Sequence, residues 1–497
     1  MNIEKEELED ELALLWQDIL KIPTVDRTVS FQRLGGNSLR AVHLVSQLQQ
    51  LYQVVIDVVS ILGGITVEKL AEQMLQANEQ FHLQPIPSLG RSTFPLSLAQ
   101  QGIYIAEQGT TTGQTFAVGS LYRVEGPLLA DMFSSVFFLL LSRHESLRTV
   151  FREEEGEPLQ KVLDLEDVSF QVATEPVADA NDAEINRRYE EFIGEPFDLE
   201  NGPLLRVKVL TQSDTQSVVM FSIHHLICDG ISLQLLAEEV FGLYGGLMNQ
   251  EAPNLAPLAI QYGDFAVWQR QLLDHHKDTY REFWNQQLAG FQHPLDLSTL
   301  QETSPAASPA RYNGRRLVRA MDPAQAMGLQ ALAREHDVTL YATLFSSIQL
   351  LLHYYTSQTD LVVGTVLAGR DHPDLDGQVG LYVNTLPVRT HVAPQESFLA
   401  LQQQVQQQLL AVTQHQAYPL TEILQGWKGD RTQSNPLFQV VVQMITLPTE
   451  ATAPTTMGPM TVTYVESDLI QTKFDLVFNL YFVQDTGRVL LDVIYNR

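Results

Sequence analysis

A small all-α helical bundle followed by a larger α/β region is the multi-domain fold this sequence predicts, on three observations. Residues 1–78 carry apolar side chains at helical spacing only. A stretch without periodicity follows, punctuated by Pro85, Pro87, Gly90 and Pro95. Beyond it strand-like and helix-like apolar runs alternate, in a chain whose 497 residues exceed what one hydrophobic core serves.

The elements follow in order. In EELEDELALLWQDIL, Leu8, Leu12, Leu15, Trp16 and Ile19 share one helical face, and acidic residues fill the first turn where the helix dipole favours them. Leu39, Val42, Val45 and Leu48 mark a second helix after Gly36; Val67, Leu70, Ala71 and Met74 mark a third, with Thr66 as its N-cap. Residues 79–93 read as an extended linker of moderate stiffness. Strands are then predicted in SLYRVEG, LLRVKVL, SVVMFSIHH and DLVVGTVL, and helices in ISLQLLAEEVFGLYGGL and SFLALQQQVQQQLLAVTQ. A single sheet would be stretched over this length, so the α/β region divides near Trp268 into lobes 94–268 and 269–497.

Composition excludes several function classes. With 44% hydrophobic and 18% charged residues the chain is an ordinary globular one. A formal charge of −28 repels phosphate backbones and anionic headgroups, which argues against nucleic acid and membrane partners. The one cysteine, Cys228, rules out an internal disulfide and a multi-cysteine zinc site. Neither a signal peptide nor an apolar run of about 18 residues is present, so a cytoplasmic, soluble protein is expected.

Two stretches carry chemistry. In FQRLGGNSLRAVHLV, Ser38 stands where a helix begins. It suits an N-cap, a stabilisation of about 1 kcal/mol. A nucleophilic serine is disfavoured because the stretch is not G-x-S-x-G and neither a histidine nor an acid accompanies it. The third role, a covalent attachment point, needs an exposed hydroxyl at a helix N-terminus, with glycines that let another protein approach. On LGGNSL and the three phased helices, residues 10–75 resemble a peptidyl carrier protein of nonribosomal peptide synthetases. That resemblance implies 4'-phosphopantetheine on Ser38, attached by a phosphopantetheinyl transferase; Asn37 replaces the more usual His or Asp.

In MFSIHHLICDGISLQLL, His224 and His225 end a predicted strand, and Asp229 with Gly230 turns into a helix that Ser232 is placed to cap. Alternation sends the two histidines to opposite faces, so only one addresses a given cavity. The same divergence, with no third ligand at a convincing spacing, argues against a metal. Asp229 is placed to hold backbone amides or a buried arginine, and Gly230 permits close approach of a ligand.

From about residue 94 onward the chain resembles the condensation domain of the same synthetases. His224, His225, Asp229 and Gly230 match its HHxxxDG motif. SLAQQGIYIAEQ and RHESLRTVF before that motif, and YGDFAVWQ, VGLYVNTLPVR, HQAYPL and NPLFQV after it, stand in the family's order. The resemblance implies two lobes like chloramphenicol acetyltransferase in a V shape, with a tunnel between them. It also implies amide formation between a donor thioester on Ser38 and the amine of an acceptor, with His225 orienting the amine and taking its proton. The backbone amide near Gly230 is the expected oxyanion donor, and Arg148 the expected ion-pair partner of Asp229. An upstream adenylation domain and a downstream acceptor carrier are the implied partners, in a chain read as a piece of a larger synthetase. An epimerisation domain shares the motif but follows it with a different run from DGISLQLL. Ester-forming or release variants, and a non-catalytic pair of docking modules, are rival readings of the same residues.

Overall fold

The computed structural model describes residues 5–36, 38–52, 54, 56, 58–76, 85–108, 116–178, 181–253, 255–297, 314–429, 436–447, 453–467 and 474–496. The predicted bundle is there. Helices Lys5–Leu20, Ser38–Tyr52 and Val67–Gln76 coincide with the three apolar periods. They bury Leu8, Leu12, Trp16, Leu44, Leu48, Leu70 and Met74, and Trp16 meets Phe31 edge-on at 5.0 Å. Thr66 Oγ1 accepts from Lys69 N at 3.3 Å, the expected capping bond. A further helix, Val58–Leu62, is too short to carry a readable period.

Among the described residues the α/β region holds two six-stranded sheets and a small three-stranded one. The first large sheet orders its strands Thr455–Met457, Met460–Val465, Ala117–Glu125, Gln216–His224, Leu205–Ser213 and Val172–Pro176. Its strand Gln216–His224 is buried on both faces, which explains its nearly continuous apolar run. Val219, Phe221 and Ile223 meet helices Ala130–Arg143 and Gly230–Met248, while Val218 and Met220 meet helix Asp182–Ile193. The second sheet orders Asn384–His391, Asp360–Leu367, Val440–Leu447, Leu476–Val483, Arg488–Asn496 and Gly314–Ala320. Helices Leu340–Thr356 and Phe398–Gln414 pack on it through Phe345, Ile348, Leu401 and Val405.

Two boundaries set from sequence shift. The division near Trp268 falls inside one continuous helix, Tyr262–Gln287. Its start joins a cluster of Ile260, Tyr262, Phe265, Leu381 and Tyr382 between the lobes, and its later residues Leu273 and Trp284 join the second core. The lobes also exchange chain: strands Thr455–Met457 and Met460–Val465 pair into the first sheet, not the second. A length argument has no means of detecting either feature, because a short strand reads alike whichever sheet receives it. The expected linker 79–93 is tied down from Ile86 onward. Ile86 is buried with its N–H on Asp374 at 2.9 Å, and Leu89 N reaches Asp264 at 2.8 Å. Residues 77–84 lie outside the described residues.

Candidate active site

The site forms where strand Gln216–His224 stops and a one-turn 3-10 segment, His225–Ile227, leads into helix Gly230–Met248. That turn separates the two histidines. His224 is buried on the face of Val218 and Met220; its Nδ1 accepts from Leu226 N at 3.2 Å, so its proton sits on Nε2, 3.9 Å from Glu107 Oε2. His225 is partly exposed. Its N–H donates to Phe116 O at 2.7 Å, and its Nδ1 lies 2.7 Å from Cys228 O. A carbonyl only accepts, so Nδ1 carries the proton and Nε2 is the basic nitrogen in the neutral ring. The fold thus fixes the tautomer that a proton acceptor requires.

Cys228 takes no part as a nucleophile. It is fully buried, its Sγ contacts Asp229 O at 3.3 Å, and burial pushes the thiol well above the usual range.

Asp229 is completely buried and acts as a staple between lobes. One carboxylate oxygen accepts from Ser232 N at 2.8 Å, capping the helix, and the other from Tyr382 N at 2.9 Å. Its own N–H donates to Gly380 O at 3.0 Å. Asp229 is therefore the N-cap where Ser232 was the expected one. Ser232 Oγ instead donates to Gly380 O at 2.8 Å and receives Gly380 N at 3.0 Å. Gly380 has no room for a side chain: a Cβ there would lie 2.1 Å from the Tyr262 ring. Gly230 differs, since a Cβ there meets nothing within 4 Å, and the first turn of its helix borders open space.

The arginine beside Asp229 is Arg370, not Arg148. Arg370 Nη2 stands 3.6 Å from Asp229 Oδ1 and donates to Ser232 Oγ at 2.8 Å. Its Nη1 donates to Leu375 O and Gln378 O, and its guanidinium lies 4.1 Å from the centroid of the Tyr382 ring. Arg148 is spent elsewhere: Nε donates to Leu141 O at 3.1 Å, Nη1 to Leu163 O, and Nη2 pairs with Glu145 at 3.3 Å. The surrounding RHESLRTVF motif is structural, with Arg143 and His144 both on Glu239, at 3.1 and 2.6 Å. Arg370, Tyr382 and Gly380 complete the site from the second lobe. VGLYVNTLPVR flagged two of them as a motif without saying what they touch.

In the bundle, helix Ser38–Tyr52 begins at the serine of LGGNSL. Gly35 is left-handed, at φ +96, and a Cβ on Gly36 would lie 2.1 Å from the Phe31 ring. The glycines are thus demanded by a loop folded tightly onto Phe31. Asn37 and the side chain of Ser38 lie outside the described residues. A hydroxyl residue opening a helix suits an attached phosphodiester, because the N-terminal peptide dipoles stabilise an anion. Among the described residues no three His, Cys, Asp or Glu side chains are arranged to hold a metal, and no helix is long and apolar enough to cross a membrane.

Comparison with known proteins decides the family. The family pattern described as Condensation domain matches residues 91–497, and that described as Phosphopantetheine attachment site matches residues 10–74. The chain belongs to the condensation-domain family. A carrier precedes the condensation domain, the didomain order of nonribosomal peptide synthetases. The chain is 31% identical over 494 residues to tyrocidine synthase 3 of Brevibacillus parabrevis, covering 99% of this chain and 7% of that protein. To gramicidin S synthase 2 of Aneurinibacillus migulanus it is 32% identical over 440 residues, 88% of this chain and 10% of that one. The chain therefore spans no more than about a tenth of the length of these relatives. The condensation domain's fold is shared with the X-domain from teicoplanin biosynthesis, at a TM-score of 0.72 and 22% identity over 83% of this chain and 92% of that one.

Proposed function

We propose that this didomain joins a donor acyl group, borne on Ser38 through phosphopantetheine, to the amine of an acceptor on a downstream carrier. The observation that carries the reading is the fixed tautomer of His225, a partly exposed ring whose Nδ1 is held by Cys228 O. The attached arm supplies reach and a thiol on which the donor is held as a thioester. A carbon–nitrogen bond forms, the carbon–sulfur bond breaks, and the amine's proton must leave. An α-amine titrates near about 7.7 to 8.0, so a fair fraction is neutral at physiological pH and orientation matters as much as basicity. His225 Nε2 orients the amine and takes that proton. The backbone N–H near Gly230, at the very start of the helix and ahead of the Ser232 N–H that Asp229 holds, stabilises the negative carbonyl oxygen. Asp229 does not touch substrate; it holds the turn, and with it His225.

In this reading a phosphopantetheinyl transferase modifies Ser38 and an upstream adenylation domain loads the arm, in the cytoplasm. Mass spectrometry after incubation with such a transferase and coenzyme A is expected to show the added arm on the wild-type chain and none on Ser38→Ala. An adduct persisting in Ser38→Ala would remove the assignment. Gly230→Ala separates binding from folding. Its Cβ meets no protein atom within 4 Å and alanine is a better helix former, so stability should hold. Amide formation should nonetheless fall about tenfold if the carbonyl approaches this backbone closely; an unchanged rate would clear Gly230 of that role.

A further inference from the structure

The carrier does not hang free of the condensation domain: its loop 30–36, which leads directly to Ser38, rests against the second lobe. Ser30 Oγ donates to Asp337 Oδ1, and Arg33 Nε pairs with Asp337 Oδ2 at 2.9 Å. Arg33 Nη2 also reaches Glu335 O at 3.4 Å. An apolar contact accompanies these polar ones, because Leu410 of the second lobe packs against the carrier's core. Gln406 Nε2 points at Leu62 O from 3.5 Å, the carbonyl that Gln32 holds from within the carrier.

The surface that receives the loop is prepared. Asp337 sits in a left-handed conformation, φ +55, in the turn after helix Pro323–Glu335. On its far side Thr339 caps helix Leu340–Thr356, and Gln406 Oε1 accepts from both Thr339 N and Thr339 Oγ1, at 3.0 and 2.9 Å. The carboxylate is thus presented by a turn anchored on both sides. Its position in the fold is informative. Helix Leu340–Thr356 leads through a short turn into strand Asp360–Leu367, so the helix start lies toward the strand's far end. Tyr341, near that start, bonds Thr365 Oγ1 at 2.7 Å. From that same end the chain departs to Arg370, Gly380 and Tyr382, the residues that meet Asp229.

We propose that Asp337 is the positioning residue with which the condensation domain docks its own carrier, holding the donor-bearing loop at the active-site end of the second lobe. The proposal rests on Ser38 being the donor's attachment point. Ser38 lies only five positions after Arg33, so the serine stays within about 18 Å of the dock along even an extended chain. The linker already confines the carrier; the dock selects one orientation from those the tether permits. Part-exposed ion pairs are weak singly, which suits a contact that must release after each transfer.

The test uses the full chain, with the donor either loaded on its carrier or supplied as a soluble thioester that bypasses it. Asp337→Asn should slow single-turnover amide formation from the carrier-loaded donor about threefold, and Asp337→Arg, which faces Arg33, about tenfold. The soluble donor should react at wild-type rate in both, and Arg33→Asp with Asp337→Arg should restore the carrier-loaded rate to within about twofold. A readout independent of turnover is available because the one native cysteine, Cys228, is buried. A Ser30→Cys, Asp337→Cys chain should cross-link under mild oxidation. Unchanged carrier-loaded rates in Asp337→Arg, equal losses with both donors, or failure to cross-link would overturn the dock. If the wild type forms no amide from either donor, the proposed function falls, and the cross-link alone decides for or against the dock.

Discussion

Replacing His225 by alanine is expected to slow amide formation about 100-fold, measured with a loaded carrier or a soluble thioester donor and an acceptor amine. The protein should remain folded, because the ring is partly exposed and its hydrogen bond to Cys228 O is worth only about 1 kcal/mol. The geometry separates this outcome from the one expected at His224. His224 is buried, its Nδ1 is occupied by Leu226 N, and its Nε2 faces Glu107, so its loss would act through the turn it supports. An undiminished rate in His225→Ala would take the residue out of the chemistry. A large loss accompanied by unfolding would make it a structural residue instead.

What could be read in the sequence divides along the reach of the forces involved. The three carrier helices were legible because Leu8, Leu12, Trp16 and their counterparts repeat at the period the helix imposes locally. The opposite fates of His224 and His225 were legible for a similar reason, although the turn after His224 sharpens the separation beyond simple alternation. Asp229 as a holder of backbone amides also followed from its place before a helix. Arg370 did not follow, since no local pattern ties an arginine in one lobe to a carboxylate in the other. Arg148, nearer in sequence and within a recognisable motif, was the available choice, but its guanidinium is occupied by Leu141 O, Leu163 O and Glu145. The exchange of strand Met460–Val465 and the contact of Ser30 and Arg33 with Asp337 belong to the same class. Each is a long-range meeting of surfaces, which side-chain periodicity does not encode.

Asp229→Ala is expected to be the most destabilising single change at the site, costing about 3–5 kcal/mol. It removes the cap of helix Gly230–Met248 and leaves the N–H groups of Ser232 and Tyr382 without their acceptor. It also strips the nearby carboxylate from Arg370, a guanidinium whose side chain is only 11% exposed. Because Ser232 and Tyr382 belong to different lobes, the loss should loosen the junction that holds the turn of His225. Thermal unfolding should shift downward and turnover should fall with it. Asp229→Asn, which keeps a capping oxygen, should lose less. A double-mutant cycle then tells the two arginines apart. Asp229→Asn combined with Arg370→Ala should show a coupling of about 1 kcal/mol, as expected for charged neighbours in one network. The same cycle with Arg148→Ala should be additive, because Arg148 bonds elsewhere and shares no partner with Asp229. Coupling to Arg148 and none to Arg370 would reverse the assignment and, with it, the view of Asp229 as a staple to the second lobe.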